Sequence, residues 1–224
     1  WSAENPYLYR VLVRTDTDEQ TIFYGIRNLA WSAETGLTVN DKPVLLRGGC
    51  IHHDHGVLGA CEYQDAEERR IRILKESGFN AVRMAHNPAS QTTLEICDRL
   101  GMYVMNEAFD GWYIPKTYHD YSRRFETDWR SDVTAMVESS RNHPCVIMYS
   151  IGNEVSETAT PKGVEVCKRL TEFVHSLDNT RPVTAGVNVL LNVYASMGMG
   201  VYKDKGDYKP EPLPPKREIG RAHV

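Results

Sequence analysis

Glu154 is the residue around which the reactive groups of this sequence collect. It follows Asn153 directly after residues 145–152, an apolar, β-branched run with the length of a fully buried strand. A buried strand has no structural need of an acid at its end, whereas an α/β fold keeps its chemistry at the C-terminal ends of its strands. Other apolar runs show the same habit. One leads into Ile51-His52-His53-Asp54-His55, one into Arg83-Met84-Ala85-His86-Asn87-Pro88, and one into Asn106-Glu107-Ala108-Phe109-Asp110-Gly111-Trp112. Together these groups suit cleavage of a glycosidic bond. That reaction needs a carboxylic acid to protonate the leaving oxygen and a second carboxylate as nucleophile or base. It also needs polar groups on the sugar hydroxyls and often an aromatic face. Glu154 is the candidate acid. Asn153 is placed to bond the 2-OH, a contact that strengthens as positive charge develops on the ring.

Taken singly, each residue has a plainer reading. Arg83 suits an ion pair and a role as structural prop for a carboxylate such as Glu154. Asn87 before Pro88 initiates a turn. Glu107 and Asp110 cap or solvate a loop, and Trp112 belongs either to the core or to a stacking platform. His52, His53 and His55 lack the helical pairing or cysteine partner of a zinc site, which leaves loop hydrogen bonding or the lining of a sugar site. Asp65, Glu67 and Glu68 read as surface charges complementing a helix dipole.

The elements that must position these residues follow a regular rhythm. Predicted strands at 44–51, 79–85, 102–106, 145–151 and 182–187 alternate with amphipathic helices. Residues 65–77 carry charges around Ile71 and Leu74, and Ser90 caps a helix that turns Leu94, Cys97 and Leu100 inward. Trp129, Val133, Met136, Val137 and Ser140 form one helical stripe, and Val166, Leu170, Phe173, Val174 and Leu177 another. Alternating strands and helices predict an α/β parallel sheet with right-handed crossovers. The absence of a Gly-rich phosphate loop favours a TIM barrel over a dinucleotide fold. A closed barrel needs eight such units and this chain holds about five, so a partial barrel is expected. Ahead of it, residues 7–15 and 21–27 predict a β-hairpin, with 29–35 crossing to a second tight hairpin around Asn40-Asp41-Lys42-Pro43. Two leading strands cannot bury a face alone, and they read as the tail of a β-domain. After Val187 the rhythm fails in the charged, proline-rich stretch 203–216. Residues 218–224 back-translate as GAG ATC GGA AGA GCA CAC GTC, a common sequencing-adapter read, and are expected to be an artefact; Trp1 reads as an interior start.

The 224 residues carry a formal net charge of −4, with a quarter of them charged, which gives no footprint for nucleic acid or an anionic membrane. No apolar stretch reaches transmembrane length. The five cysteines are odd in number and widely spaced. Four of them sit in or beside predicted strands and helices, so they read as core thiols without zinc-type spacing.

The sequence resembles the glycoside hydrolase family of β-galactosidases, β-glucuronidases and β-mannosidases nearly end to end. Trp1-Ser2, Asn5-Pro6-Tyr7-Leu8-Tyr9 and Tyr24-Gly25-Ile26-Arg27 are similar to the end of that family's immunoglobulin-like sandwich. Leu46-Arg47-Gly48 with His52-His53-Asp54 resembles the entry to its barrel. Asn80-Ala81-Val82-Arg83 through His86-Asn87-Pro88, and Arg141-Asn142-His143-Pro144 through Ile151-Gly152-Asn153-Glu154, resemble its most specific signatures. The resemblance implies a retaining β-glycosidase, most closely a β-galactosidase, with Glu154 as general acid/base. Its substrate-binding residues would be Asn153, His86, Asn87, Arg83, His53, Glu107, Asp110 and Trp112. Asn106 departs from the family, where many relatives carry Asp. The family's nucleophile, a Glu near the end of strand seven, falls beyond this chain. Glu157, Glu165 and Glu172 are poor substitutes, because they follow strand four directly. The expected organisation is an immunoglobulin-like end at 1–30, the N-terminal part of the catalytic barrel at 36–217, and the tail at 218–224. No metal or cofactor is assigned. The expected partner is a β-linked glycoside, not nucleic acid or a membrane, with homo-oligomerisation of the full-length protein left open. The alternatives are a β-glucuronidase or β-mannosidase of the same family, a non-catalytic carbohydrate-binding barrel, and a different barrel enzyme that uses the histidines for a metal.

Overall fold

The computed structural model describes residues 1–117 and 119–199. The stretch 203–216 and the tail 218–224 lie outside the described residues. The strands are β1 (Tyr9–Arg14), β2 (Glu19–Tyr24), β3 (Leu29–Ser32), β4 (Gly36–Val39), β5 (Lys42–Pro43), β6 (Gly48–His52), β7 (Ala81–Ala85), β8 (Tyr103–Glu107), β9 (Val146–Asn153) and β10 (Val183–Gly186). The helices are α1 (Gln64–Glu76), α2 (Gln91–Leu100), α3 (Ser122–Ser140), α4 (Pro161–Leu177) and α5 (Val189–Ser196). Five strands form one sheet in the order β10-β9-β8-β7-β6, and β6–β7, β7–β8 and β9–β10 are parallel pairs. Each strand lies beside its neighbour in sequence, and among the described residues each crossover holds one α-helix. A doubly wound sheet would reverse its order at a switch point, whereas a barrel advances strand by strand. The expected fold class is met in this sheet.

The chain divides into two compact units. One comprises Trp1–Ala85, Ala89–Asn106 and Glu138–Ile147; the other comprises His86–Pro88, Glu107–Val137 and the residues from Met148 on. In the first, α2 forms where Ser90 Oγ accepts from the Thr93 N–H at 3.1 Å, and it ends at Gly101, whose φ of +77° suits the left-handed cap. Leu94, Ile96 and Cys97 are buried on its inner face. Arg27 donates to the carbonyls of Pro144 and Val146, both at 2.6 Å, and the Trp1 indole donates to Asp98 O at 2.7 Å. In the second unit, Thr160 caps α4 by accepting from the Gly163 N–H, with Pro161 at the first helical position. Val166, Leu170 and Val174 of α4 are buried, as are Phe125, Trp129, Val133 and Val137 of α3. The Phe173 ring packs edge-on against Trp129 with centroids 5.2 Å apart. Both predicted stripes are therefore core.

The leading segment differs from expectation in register. Residues 29–32 are not a crossing segment but pair with β4. Asn40 and Asp41 both take positive φ (51° and 63°), so they alone form the two-residue turn and Val39 pairs with Lys42. Residues 44–47 consequently become a connection, and the first sheet strand starts at Gly48 rather than Val44. Asn80 holds that connection: its Oδ1 accepts from the Arg47 N–H at 2.7 Å and its Nδ2 donates to Leu45 O at 3.0 Å. The β1–β2 hairpin forms as expected, and its side chains, Leu12, Val13 and Phe23 among them, are exposed.

Burial also revises the charges and thiols. Glu67 is fully buried, bonded to His55 and Arg70, rather than a surface charge. Cys97 and Cys145 are core thiols, Cys167 is half-buried, and Cys50 and Cys61 are exposed, against the expectation that most would be core.

Candidate active site

The end of β9 is where the sequence pattern breaks. The run from Val146 to Gly152 is apolar apart from Ser150 and buried apart from Met148, and Gly152 has no room for a side chain. A Cβ there would lie 2.8 Å from both Trp112 Nε1 and Val155 Cγ1. The indole N–H instead donates to Ile151 O at 2.7 Å, clamping the loop after β8 onto the strand. Trp112 is fully buried by this contact. Of its two sequence readings the core one holds, and the substrate-binding role that the resemblance implied for Trp112 does not fit this burial, because a sugar-stacking ring needs a free face.

Beyond Gly152 the chain takes an unusual conformation. Asn153 is still in the strand, 7% exposed, and its N–H donates to Phe109 O at 3.1 Å. Glu154 then adopts φ +44°, one of three non-glycine residues with positive φ among those described. The other two make the hairpin turn, where Asn and Asp tolerate it. A glutamate gains nothing comparable locally, so the conformation is held by its surroundings. Asn188 Nδ2 donates to Glu154 Oε1 at 3.1 Å. That amide has little freedom, since its Oδ1 caps α5 by accepting from the N–H groups of Leu190 (3.1 Å) and Leu191 (3.3 Å). The cap fixes which end of the amide faces the carboxylate.

Around this pair the second unit assembles several more polar groups. Asn153 Nδ2 donates to Asp110 Oδ1 at 2.9 Å. Lys116 Nζ donates to Asp110 Oδ1 (2.9 Å), Asp110 O (2.6 Å) and Asn153 O (2.8 Å). Partial burial pushes the Asp110 carboxyl upward, but the Lys116 ammonium and the Asn153 amide outweigh it and hold it below the usual aspartate range. Glu107 is fully buried between His86 Nδ1 (2.7 Å) and Ser150 Oγ (2.5 Å) and so fixes the His86 ring. Asn87 is exposed. Glu157 is 2% exposed and accepts from the Ile114 N–H at 2.8 Å. Burial raises its carboxyl above the ordinary glutamate value despite that bond.

The structure thus collects His86, Asn87, Glu107, Asp110, Asn153 and Glu154 in one unit. Arg83 and His53 belong to the other, where Arg83 Nη1 lies 3.7 Å from Cys50 Sγ and His53 pairs with Glu62. Asn106, near the end of β8, is a neutral cross-link in that unit. It accepts from the Ala89 N–H (2.8 Å) and donates to Ser140 Oγ (2.7 Å). The amide side chain supplies the donor that an aspartate would lack. Among the described residues, Asp98, His143 and Cys145 alone cluster with metal-like spacing. Their atoms are engaged otherwise: His143 Nδ1 bonds Asp98 Oδ2 at 2.5 Å, the Cys145 N–H donates to Asp98 Oδ1 at 2.9 Å, and Cys145 Sγ donates to Leu94 O at 3.5 Å. Sequence reasoning missed Asn188, Lys116 and Ser150. Only Asn188 carried a legible signal, a polar residue after the fifth strand and just before an apolar helix.

The chain is similar to known proteins over most of its length. Residues 33–210 match the model of the glycosyl hydrolases family 2 TIM barrel domain. A β-galactosidase of Bacteroides ovatus, BoGH2A, is 38% identical over 84% of this chain and 26% of its own length. A solved family 2 glycosyl hydrolase from Bacteroides cellulosilyticus is 52% identical with a TM-score of 0.80, covering 84% of this chain and 25% of its own. A β-D-glucuronidase from Dictyoglomus thermophilum is 27% identical with a TM-score of 0.71, covering 83% of this chain and 34% of its own. The chain spans about a quarter to a third of the length of these relatives. With its sequentially ordered parallel strands and a carboxylate at the end of β9, it belongs to glycosyl hydrolase family 2 and carries part of that family's TIM barrel domain.

Proposed function

We propose that the whole protein is a retaining β-glycosidase acting on terminal β-glycosides, most closely β-galactosides, with Glu154 as general acid/base. The observation that carries this reading is the Glu154 carboxylate itself, held in a left-handed conformation at a strand end by an amide that its own helix cap has oriented. Glu154 protonates the departing glycosidic oxygen while a second carboxylate attacks the anomeric carbon. It then takes a proton from the water that hydrolyses the glycosyl-enzyme. Asn153 bonds the 2-OH, and His86, Asn87 and Asp110 line the sugar site together with Glu107, which acts by orienting His86. Arg83 and His53 are proposed as further substrate-binding residues on the family resemblance alone. Glu107 and Glu157 are occupied by His86, Ser150 and the Ile114 N–H, which supports a nucleophile contributed from outside these residues. The segment alone is therefore proposed to be inactive. Residues 1–30 are proposed as the end of an immunoglobulin-like sandwich, in keeping with the exposed apolar side chains of β1 and β2.

Galactoside preference follows the name of the Bacteroides ovatus relative; the Dictyoglomus neighbour makes glucuronides the comparison substrate. The test is Glu154→Gln in the whole protein. Loss of acid assistance lowers kcat/KM on methyl glycosides or lactose by about 10²–10⁴-fold. Wild-type turnover of those substrates by the variant refutes the assignment.

A further inference from the structure

We propose that Lys116 is a positioning residue for Glu154: its ammonium pins the Asn153–Glu154 peptide and so sets the direction of the catalytic carboxyl. This rests on the reading of Glu154 as general acid/base. The Lys116 side chain is 11% exposed, unlike a solvated surface lysine. An ammonium has three N–H donors, and three oxygens lie within bonding distance of this one: Asp110 Oδ1, Asp110 O and Asn153 O. The third is the decisive one. The Asn153 carbonyl lies in the same rigid plane as the Glu154 N–H. Holding that carbonyl fixes the plane from which Glu154 departs at φ +44°.

A positive φ is costly for a residue with a Cβ, and the inexpensive way out is rotation of the preceding peptide. Such rotation swings the Asn153 carbonyl away and releases Glu154 from φ +44°, changing the angle at which its Cα–Cβ bond leaves the peptide plane. Lys116 opposes it directly. Asp110 reinforces the hold, because the same Oδ1 accepts from Asn153 Nδ2 and closes a ring of Lys116, Asp110 and Asn153. The ring ties down both the side chain and the carbonyl of the residue before the acid. A lysine serving only to brace the loop after β8 needs Asp110 alone; its bond to the β9 end sets it apart.

The test uses the whole protein with Lys116→Met, which keeps the apolar stem, and Lys116→Arg, which keeps the charge but cannot bring one nitrogen onto all three oxygens. Each is assayed on a methyl glycoside, whose leaving group needs protonation, and on a 2,4-dinitrophenyl glycoside, whose leaving group does not. Both variants are expected to lose at least tenfold more kcat/KM on the methyl than on the dinitrophenyl substrate, with the loss in kcat rather than KM. Equal losses on the two substrates, or no loss, overturn the proposal, and thermal unfolding of each variant identifies a fold that has collapsed. If Lys116→Met does not fold, Lys116→Arg carries the same comparison. Glu154→Gln run in parallel separates the two readings. If it shows the leaving-group dependence and the Lys116 variants do not, only the positioning role fails; if it does not, the acid/base assignment fails.

Discussion

Asn188 links the fold to the chemistry through one side chain, and its two roles can be separated. Asn188→Asp keeps an oxygen for the Leu190 and Leu191 N–H groups, so the α5 cap survives. It replaces the amide donor, 3.1 Å from Glu154 Oε1, with a second carboxylate. Two unit charges about 4 Å apart repel by about 1 kcal/mol at the dielectric of water and about 4 kcal/mol at an effective value near 20. At 1.36 kcal/mol per pKa unit this is roughly one to three units. Glu154 is partly exposed, which places the effect toward the lower end, about one unit. The sign is upward, because a neighbouring negative charge disfavours the ionised form. The assay is the pH profile of kcat/KM for a methyl glycoside in the whole protein. Its alkaline limb, which reports loss of the acid's proton, should move up by about one pH unit in Asn188→Asp. In Asn188→Ser, which retains a cap without the charge, it should move little. Asn188→Ala gives up the cap as well and should cost about 1 kcal/mol of stability, whereas the Asp variant should not. An unmoved alkaline limb in Asn188→Asp refutes the pairing of Asn188 with Glu154.

Glu157 predicts a pH dependence of stability. Burial holds its folded carboxyl above the unfolded value of 4.5, so its favourable contribution is present below that pH and lost as pH rises through the folded pKa. Glu157→Gln keeps an acceptor for the Ile114 N–H and should gain stability relative to wild type as pH rises above about 4.5; urea unfolding at pH 4 and pH 7 that shows a constant difference refutes this. The isolated 224-residue segment should hydrolyse neither lactose nor dinitrophenyl galactoside, and measurable turnover by it would count against a nucleophile supplied from elsewhere.

Much of the architecture was legible because it is encoded locally. Ser90 caps its helix through a contact three residues away, and the stripes on α3 and α4 need only a helical period. The misplacements came where one local choice displaced another. Asn40-Asp41 formed a tighter turn than the four-residue stretch suggested, which shifted the start of β6 by four residues. Glu67 looked like an N-terminal dipole charge because its partner His55 lies in the loop before α1 and is recognisable only once that loop has folded over the helix, while Arg70, one turn on, is an ordinary helical pair that says nothing of burial.

By itself the sequence determined the alternation of strands and helices, the strand-end clustering of polar residues, and the placing of Glu154 after Asn153. These depend on period, capping and order along the chain. Only the tertiary structure decided that Trp112 faces inward, that Asn188 reaches Glu154 from 34 residues away, and that Lys116 spans 37 residues to the Asn153 carbonyl. Such partners are set by which strand ends lie side by side and by where each loop returns. A hydrogen bond a few ångströms long leaves no periodic trace in the residues between its ends.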